Sequence, residues 1–206
     1  MILTINKEMK YIVLDTETAG LPVRKGWDTY HDPKQFDKYY SDCRVIELGY
    51  IVFDDDTQSQ KFLTLISQFE SLVIPNGFTI NNSQYHGITT RKATEEGSPI
   101  NIVFDQLTTD LKDCDVIVGH NINFDIYILL AEAYRMENNE LAKLILSKKW
   151  FCTMDCGKRR MNVRKSPKLT ELYEFLHKKP LQQEHRALSD VIVTASCYNK
   201  LMQVAD

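Results

Sequence analysis

Short runs of consecutive apolar residues along the chain predict the strands of a sheet. They cover residues 11–14, 45–53, 61–66 and 116–118 and are rich in β-branched side chains. Runs of this length and composition are typical of strands buried on both faces. A polar insert at residues 22–42 separates the first two strands, and its length favours a functional or mobile loop over a tight hairpin.

Apolar residues spaced three and four positions apart predict helices, most of them in the second half of the chain. The periodic segments are residues 100–111, 124–136, 139–147 and 169–176, followed by a final helix with an apolar face from Ala187 to Met202. Strands first, and then strands mixed with helices, indicate an α/β fold in which helices surround a mixed sheet. At 206 residues the chain is predicted to be a single domain, residues 1–206, with its core at about 10–201.

Composition narrows the class of protein. The chain is 43% hydrophobic and 26% charged, with a formal net charge of −3, which excludes a disordered tail and a collagen-like fibre. No apolar run approaches the length of a membrane span, and residues 1–10 are too short and too polar for a signal peptide. Five scattered cysteines indicate reduced thiols. We therefore expect a cytoplasmic protein with no membrane partner.

Four acidic residues and one histidine fall at the ends of predicted elements. Asp15 and Glu17 stand two apart at the end of the first strand, so both side chains point to the same face. Asp125 follows a strand at the start of a helix, and His185 and Asp190 flank the start of the last helix. Each has an ordinary explanation when taken alone: a solvated strand end, an acid in the first turn of a helix, and an exposed loop histidine.

Taken together, these five side chains indicate metal-dependent chemistry on a phosphodiester. Two neighbouring carboxylates repel each other unless one is protonated or a cation lies between them. Ligands that are all oxygens select Mg²⁺ or Mn²⁺ over zinc, and a pair of such ions can clamp a phosphodiester. A free histidine, with a pKa of about 6.5, suits a general base beside such a site.

Three sequence motifs carry these residues: Asp15-Thr-Glu17-Thr-Ala-Gly-Leu-Pro22, Gly119-His-Asn-Ile-Asn-Phe-Asp125 and His185-Arg-Ala-Leu-Ser-Asp190. Their order, spacing and flanking residues resemble the three exonuclease motifs of the DEDDh family, the DnaQ-like 3′→5′ exonucleases of the ribonuclease H-like superfamily. The likeness extends from about Lys10 to Leu201, nearly the whole chain. It implies a ribonuclease H-like fold, which is a mixed β-sheet flanked by helices.

The resemblance also implies a catalytic role for each of the five residues. Asp15, Glu17 and Asp190 would bind the first of two Mg²⁺ or Mn²⁺ ions. Asp15 would bridge to the second ion, and Asp125 would assist through water. His185 would take the proton from the attacking water as general base.

The implied contacts with the terminal nucleotide involve four more residues. Thr18 and Ala19, largely through their backbone, and Phe124 would border it. Ala19 replaces the threonine that is commoner in the family. His86, in the segment Tyr85-His-Gly-Ile-Thr89, resembles a turn that some members place against the terminal base, although a purely structural turn is an alternative.

The implied activity is release of nucleoside 5′-monophosphates from a nucleic acid with a free 3′ end. DNA is favoured, with single-stranded or frayed ends. Two alternatives stay open: an exoribonuclease that trims RNA 3′ ends, and a proofreading module that acts with a polymerase. A small-molecule metallophosphatase is a weaker third interpretation. Family members are often dimers, which makes a homodimer an expectation, whereas the sequence does not indicate a polymerase partner.

Outside the motifs, residues 148–168 contain eight basic residues and one acid, Asp155, in a protein with a pI near 6.0. Charge runs are usually solvated surface, but beside a phosphodiesterase site this one predicts a track for phosphates. The insert carries aromatic residues that could stack on unpaired bases, although packing of the loop is their commoner role: Trp27, Tyr30, Tyr39 and Tyr40. A zinc site at Cys152 and Cys156 is disfavoured by their spacing.

Overall fold

A computed structural model describes residues 9–26, 29–54, 64–182 and 186–203. Its strands are β1 (Lys10–Thr18), β2 (Arg24–Gly26), β3 (Thr29–Tyr30), β4 (Val45–Asp54), β5 (Thr64–Leu72), β6 (Val116–Gly119) and β7 (Lys149–Cys152). Its helices are α1 (Phe36–Tyr39), α2 (Ser83–His86), α3 (Thr90–Glu96), α4 (Ile100–Lys112), α5 (Ile122–Arg135), α6 (Asn139–Ser147), α7 (Thr153–Met161), α8 (Leu169–His177) and α9 (Ala187–Met202). None of these described helices is long and apolar enough to cross a membrane.

Five of the strands form one mixed sheet in the order β5-β4-β1-β6-β7. β1 is antiparallel to β4 and parallel to β6, β4 is antiparallel to β5, and β6 is parallel to β7. Helices pack on both faces, which confirms the predicted α/β fold around a mixed sheet. Because β1, β6 and β7 run in the same direction, their carboxyl ends lie along one edge of the sheet.

Alternating side chains of β1 divide the core between the two faces of the sheet. Ile12 and Leu14 belong to a buried cluster with residues of α4, α5 and α6. Tyr11 and Val13 belong to a second cluster on the other face, with residues of α9. The first strand is therefore apolar on both faces because helices cover both.

β1 extends beyond the apolar run at 11–14, because its backbone pairs with β4 along its whole length. Asp15 stands opposite Gly49, and Glu17 stands opposite Glu47, in this antiparallel register. Strand pairing thus fixes the backbone of both predicted site acids within the sheet.

β5 and β7 differ from the strands that the apolar pattern predicts. β5 lies at Thr64–Leu72 where the apolar pattern predicts a strand at 61–66, and residues 61–63 lie outside the described part of the chain. The apolar pattern does not predict β7 or the helix α7 that follows it. β7 is only four residues long, and its side chains are exposed or half-buried at the sheet edge, so it has no buried apolar run.

The aromatic residues of the insert pack the insert down. Tyr30 and Tyr40 are buried, and Tyr40 donates a hydrogen bond of 2.6 Å to the carbonyl of His31. The Tyr30 ring stacks on Tyr127 of α5, and Tyr39 stacks on His31. Base stacking is therefore not supported for Tyr30 or Tyr40, while Trp27 lies outside the described residues.

A buried ion-pair network ties the start of β4 to α5. Glu132 is almost fully buried and pairs with Arg44 and Arg135, each at 2.7 Å. The carbonyl of Arg44 in turn accepts a hydrogen bond of 2.9 Å from the backbone N–H of Ala19. The network therefore also holds the chain where it leaves β1.

The amino end of α9 lies directly against β4 at Gly49. A Cβ atom at Gly49 would lie 2.6 Å from the backbone nitrogen of Leu188 and 2.7 Å from the carbonyl carbon of Ala187. Backbone atoms cannot move aside as the end of a flexible side chain can. Only glycine therefore allows this close approach of α9 to the sheet.

We predict that Gly49→Ala destabilises the protein by about 1–3 kcal/mol, because the added methyl group forces α9 away from β4. The measurement is urea unfolding followed by circular dichroism. Gly26→Ala is the matched control, since a Cβ there meets nothing within 4 Å. Equal midpoints for Gly49→Ala and the wild type would contradict the close packing.

Candidate active site

Three elements deliver the four predicted acidic residues to one edge of the sheet. Asp15 and Glu17 lie on β1, Asp125 is in the first turn of α5, and Asp190 is in the first turn of α9. The ligand oxygens of Asp15, Glu17 and Asp190 all lie within 4.8 Å of one another. The structure therefore brings together residues that are 175 positions apart in the sequence, between Asp15 and Asp190.

Asp125 is held against β1 by hydrogen bonds. Its Oδ1 accepts from the backbone N–H of Thr16 at 3.0 Å and from the Thr16 hydroxyl at 2.8 Å. Asn121, just before α5, adopts a left-handed conformation with φ of 67°, which asparagine tolerates well. This turn starts α5 immediately after β6 and directs Asp125 toward β1.

The carboxyl groups of Asp15, Glu17 and Asp125 in the cluster have raised pKa values, caused by burial and, for Asp15 and Glu17, also by the neighbouring carboxylates. Burial, followed by the negative charges of Asp190, Glu47 and Asp125, raises the pKa of Glu17 to about 8. Burial and the neighbouring carboxylates, Asp125 first, raise the pKa of Asp15 well above its ordinary value. Burial likewise raises the pKa of Asp125 to about 7, although the Thr16 hydrogen bonds oppose the change. The metal-free cluster therefore holds protons at neutral pH.

The donor set fits a hard divalent cation. Every side chain in the cluster offers carboxylate oxygens, which suit Mg²⁺, Mn²⁺ or Ca²⁺ better than softer metals. A cation placed among these oxygens would offset the burial and the repulsion that raise the pKa values of Asp15 and Glu17. Asp15, Glu17 and Asp190 can therefore hold a metal ion, with Asp125 beside them, and ionisation of the cluster would accompany its binding.

A second buried carboxylate, Glu47, organises the start of α9. Glu47 is fully buried on β4, and its Oε1 accepts from Arg186 Nε at 2.9 Å and also from Arg186 Nη2. Its Oε2 accepts from the backbone N–H of Ala187 at 3.0 Å. Glu47 thus supplies an anion where the first N–H groups of the helix need an acceptor.

Arg186 places a positive charge beside the acidic cluster. Besides its pairing with Glu47, its Nη2 lies 3.7 Å from Glu70 on β5. The Arg186 charge lowers the pKa of Glu17, against the larger effects of burial and the other acids. Fixing Arg186 also fixes the adjacent helix turn that carries Asp190.

The sequence interpretation did not single out Glu47, Glu70 or Arg186. One signal was available, because Glu47 interrupts the apolar run of β4, where an unpaired charge would be costly. Arg186 lies within the third motif, beside His185. His185 itself is outside the described residues, so its predicted role as general base stays a prediction.

Three of the predicted substrate-binding residues lie beside the acids. Thr18 ends β1, and its hydroxyl donates a hydrogen bond of 2.7 Å to the carbonyl of Gly20. Ala19 follows it and is half-buried. Phe124, also half-buried, directly precedes Asp125 in α5.

His86 is the fourth, and it is buried at the end of α2. Its Nδ1 accepts from the backbone N–H of Ile88 at 3.1 Å, so the neutral ring carries its proton on Nε2. Burial lowers the pKa of His86, which favours the neutral form. The buried Nε2 finds no hydrogen-bond partner within the described residues. His86 is therefore a structural residue of the turn with one donor left over.

The adjoining Asn82 links this turn to β1. Its side-chain amide donates a hydrogen bond of 2.8 Å to the carbonyl of Thr18. Its Oδ1 is buried and has no hydrogen-bond partner within the described part of the chain. Asn82 therefore offers an acceptor beside the end of β1, and the donor of His86 lies four residues further along the chain.

Residues 12–198 of the chain match the family model RNase_T, which is described as Exonuclease. The match covers all three motifs and most of the described sheet and helices. A comparison with curated proteins gave no match.

Solved structures with similar folds include nucleases. The chain is similar to E. coli Exonuclease I in complex with a dA16 oligonucleotide, with a TM-score of 0.68, 16% identity, and coverage of 95% of this chain and 41% of that chain. It is similar to a 3′-exonuclease in a structure of 3′-end specific recognition of a histone mRNA stem-loop, with a TM-score of 0.65, 15% identity, and coverage of 97% and 65%. It is also similar to Exonuclease I from Methylocaldum szegediense, with a TM-score of 0.66, 16% identity, and coverage of 96% and 41%.

At these identities the similarity shows the fold, and it confirms the predicted ribonuclease H-like arrangement. The chain spans less than half the length of the Exonuclease I chains that it matches.

We predict that Glu17→Gln stabilises the metal-free protein at pH about 8. The folded-state pKa of about 8 lies above the ordinary value of 4.5, so between these values the folded state keeps a proton that the unfolded state has lost. The stability that this group contributes therefore falls as pH rises through that window, and glutamine removes the effect.

The measurement is the Tm in EDTA at pH about 6 and about 8. The Tm of the wild type should fall more steeply with pH than that of Glu17→Gln. The exposed Glu96→Gln is the matched control and should follow the wild type. Parallel pH dependence of Glu17→Gln and the wild type would show that Glu17 is ionised in the metal-free fold.

Proposed function

Because the chain belongs to the RNase_T exonuclease family, with the motifs of its DEDDh members, we propose that it is a metal-dependent 3′→5′ exonuclease. Its substrate is a nucleic acid with a free 3′ end, and its products are nucleoside 5′-monophosphates. The observation that carries the proposal is the convergence of Asp15, Glu17 and Asp190 within 4.8 Å, with Asp125 held beside them.

Two Mg²⁺ or Mn²⁺ ions are the proposed cofactors. Asp15, Glu17 and Asp190 would hold one ion, and Asp15 and Asp125 would contribute to the second. Such ions, when bound, activate the water and stabilise the charge on the leaving oxygen of a phosphodiester. The raised pKa of Glu17 supports this assignment, because a carboxylate that is buried and surrounded by other carboxylates is costly without a cation.

His185 is the proposed general base. It immediately precedes Arg186, which Glu47 fixes to the sheet, and it lies five residues before Asp190. The neighbouring Arg186 is thus anchored beside the acidic cluster, which supports the assignment. An imidazole with a pKa of about 6.5 accepts a proton near neutral pH.

The proposed binding site for the terminal nucleotide is formed by Thr18, Ala19, Phe124 and His86. Thr18 and Ala19 follow Glu17, and Phe124 precedes Asp125, so each of the three lies within two residues of an acid of the cluster. The Nε2–H of His86 supports a substrate contact, because a buried donor without a partner is costly unless a ligand supplies the acceptor.

DNA with a single-stranded or frayed 3′ end is the favoured substrate, and RNA is the second candidate. The similarity to E. coli Exonuclease I in complex with dA16 supports the first. The similarity to the 3′-exonuclease of the histone mRNA structure supports the second. Both polymers present the same phosphodiester to the acidic cluster, so the sugar decides between them.

We predict that the wild type shortens a 5′-labelled oligonucleotide one nucleotide at a time in Mg²⁺, and that Asp15→Asn reduces the rate to background. The amide keeps the size of Asp15 but removes a charge that a divalent cation requires. Gel electrophoresis of matched DNA and RNA oligonucleotides measures both the direction of cleavage and the preferred sugar.

EDTA should abolish the ladder, and Asp105→Asn is the control variant, because Asp105 is an exposed carboxylate on α4. Retention of the ladder in Asp15→Asn would sink the proposed site. Release of the 5′ label as a mononucleotide at the start would contradict the proposed direction.

We predict that His185→Ala lowers kcat by about 10²–10⁴, the usual contribution of a general base. The increase in Tm that Mg²⁺ produces should be retained, because His185 is not among the proposed ligands. Steady-state kinetics and thermal unfolding with and without Mg²⁺ measure the two effects. A kcat near that of the wild type would exclude His185 as the base.

A further inference from the structure

A concentration of positive charge extends from the last turn of α7 to the start of α8 and is not used by the proposed active site. We call residues 158–168 the basic segment. It contains no acidic residue, and its cations are Lys158, Arg159, Arg160, Arg164, Lys165 and Lys168. Because the whole chain has a net charge of −3, this positive charge is a local feature.

The helix that leads into the basic segment begins at the same edge of the sheet as the acidic cluster. α5, which carries Asp125, begins just beyond the carboxyl end of β6, and α7 begins just beyond the carboxyl end of β7. β6 and β7 are parallel and adjacent, with Gly119 opposite Cys152. Both helices therefore leave from the edge where the acidic residues meet.

His120 fixes the basic segment to this edge. Its Nε2 lies 3.1 Å from the carbonyl of Pro167, and its Nδ1 lies 3.0 Å from the Thr153 hydroxyl. Burial lowers the pKa of His120 to about 4, so the ring is neutral. Because a carbonyl can only accept, Nε2 carries the proton and Nδ1 accepts from Thr153. His120 itself is five residues before Asp125, so a single side chain links the second motif to the basic segment.

The turn that follows α7, within the basic segment, also has a defined backbone structure. Asn162 closes α7 in a left-handed conformation with φ of 53°, and the N–H of Val163 donates to the carbonyl of Lys158 at 3.2 Å. This is a Schellman-type end, which reverses the chain direction after a helix. Beyond the segment, Leu169 and Leu172 of α8 pack with residues of α9, the helix that carries Asp190.

The cations at the tip of the segment lack a structural explanation. Lys158, Arg159 and Arg160 lie in the last turn of α7, where positive charge is favourable against the helix dipole. Arg164 and Lys165 lie outside any helix and are exposed, and the described part of the chain gives them no ion pair. The charges of these two side chains are therefore available to an anionic partner.

We propose that the exposed tip of the basic segment, Arg164 and Lys165, binds the phosphates of the strand on the 5′ side of the nucleotide at the acidic cluster. The inference rests on the proposed exonuclease function and adds a separate contact for the body of the substrate. The phosphates of the strand supply negative charges that can pair with these cations. The hydrogen bond between His120 and Pro167 keeps the segment at a fixed place relative to Asp125.

The test is the salt dependence of binding by the paired variant Arg164→Gln/Lys165→Gln. The probe is a short single-stranded oligothymidylate with a 5′ fluorophore, measured by anisotropy in EDTA so that it is not cleaved. Each phosphate contact contributes about 0.7 to the slope of log K against log salt for single strands, so the paired variant should lower the slope by about 1.4. An unchanged slope overturns the proposal.

Lys112→Gln/Lys143→Gln is the matched control with the same change in net charge. Lys112 ends α4 and Lys143 lies in α6, the helices that lead to the amino ends of β6 and β7, on the opposite edge of the sheet. Both are exposed, as Arg164 and Lys165 are, and Lys112 also pairs with the exposed Glu140 at 3.0 Å, so this control removes one surface ion pair together with the two positive charges. An equal loss of slope in this control would show a general charge effect and would overturn the assignment to the basic segment.

A small substrate separates this inference from the proposed activity. The p-nitrophenyl ester of thymidine 5′-monophosphate has no 5′ strand, so the paired variant should hydrolyse it at the rate of the wild type while the KM for the oligonucleotide rises. Loss of ester hydrolysis would place the two cations at the terminal nucleotide and overturn the proposed track. A loss of slope in a protein that cleaves neither substrate would support the track and contradict the exonuclease activity.

Discussion

Mutual repulsion among the carboxylates is the constraint on which the rest of this structure depends. Asp15, Glu17 and Asp190 have oxygens within 4.8 Å of one another, and Asp125 lies against the same strand. Without a cation such a cluster opposes folding unless it binds protons. Rigid elements must therefore hold each acid in place, and each is held differently. Asp15 and Glu17 are fixed by strand pairing, Asp125 by Thr16, and Asp190 by the packing of α9 on β4.

Glu47 and Arg186 show how a fifth carboxylate is accommodated beside this cluster. Glu47 stands opposite Glu17 in the sheet, so its charge would add to the repulsion if it were unpaired. Its bonds to Arg186 and to the N–H of Ala187 satisfy both oxygens. Removing Arg186 would be costly, because Glu47 would stay buried without its cation. The pair thus joins the amino end of α9 to the sheet.

Sequence patterns predicted the parts of the site that lie on regular elements. Apolar runs and helical spacing located β1, β6, α5 and α9, and the acids follow from their places in those elements. Glu47 is visible in the sequence as a charge within an apolar run, but the sequence could not identify its partner Arg186, which is 139 residues away. It also could not predict the anchoring role of His120, because its two partners lie in segments that only tertiary folding brings together. In the insert, the burial of Tyr30 and Tyr40 agrees with the commoner role of loop aromatics, although the local pattern does not reveal the neighbours against which they pack.

The acidic cluster and the basic segment would act on a nucleic acid through opposite electrostatic effects. The cluster repels a phosphate until cations are bound, whereas Arg164 and Lys165 attract the strand whether or not cations are present. His120 couples the two through short-range hydrogen bonds, which salt screens far less than it screens the exposed charges. Rising salt would therefore weaken the hold on the strand while leaving the geometry of the cluster intact. On this argument, ionic strength acts on substrate affinity and metal concentration acts on turnover, and the two depend on different residues.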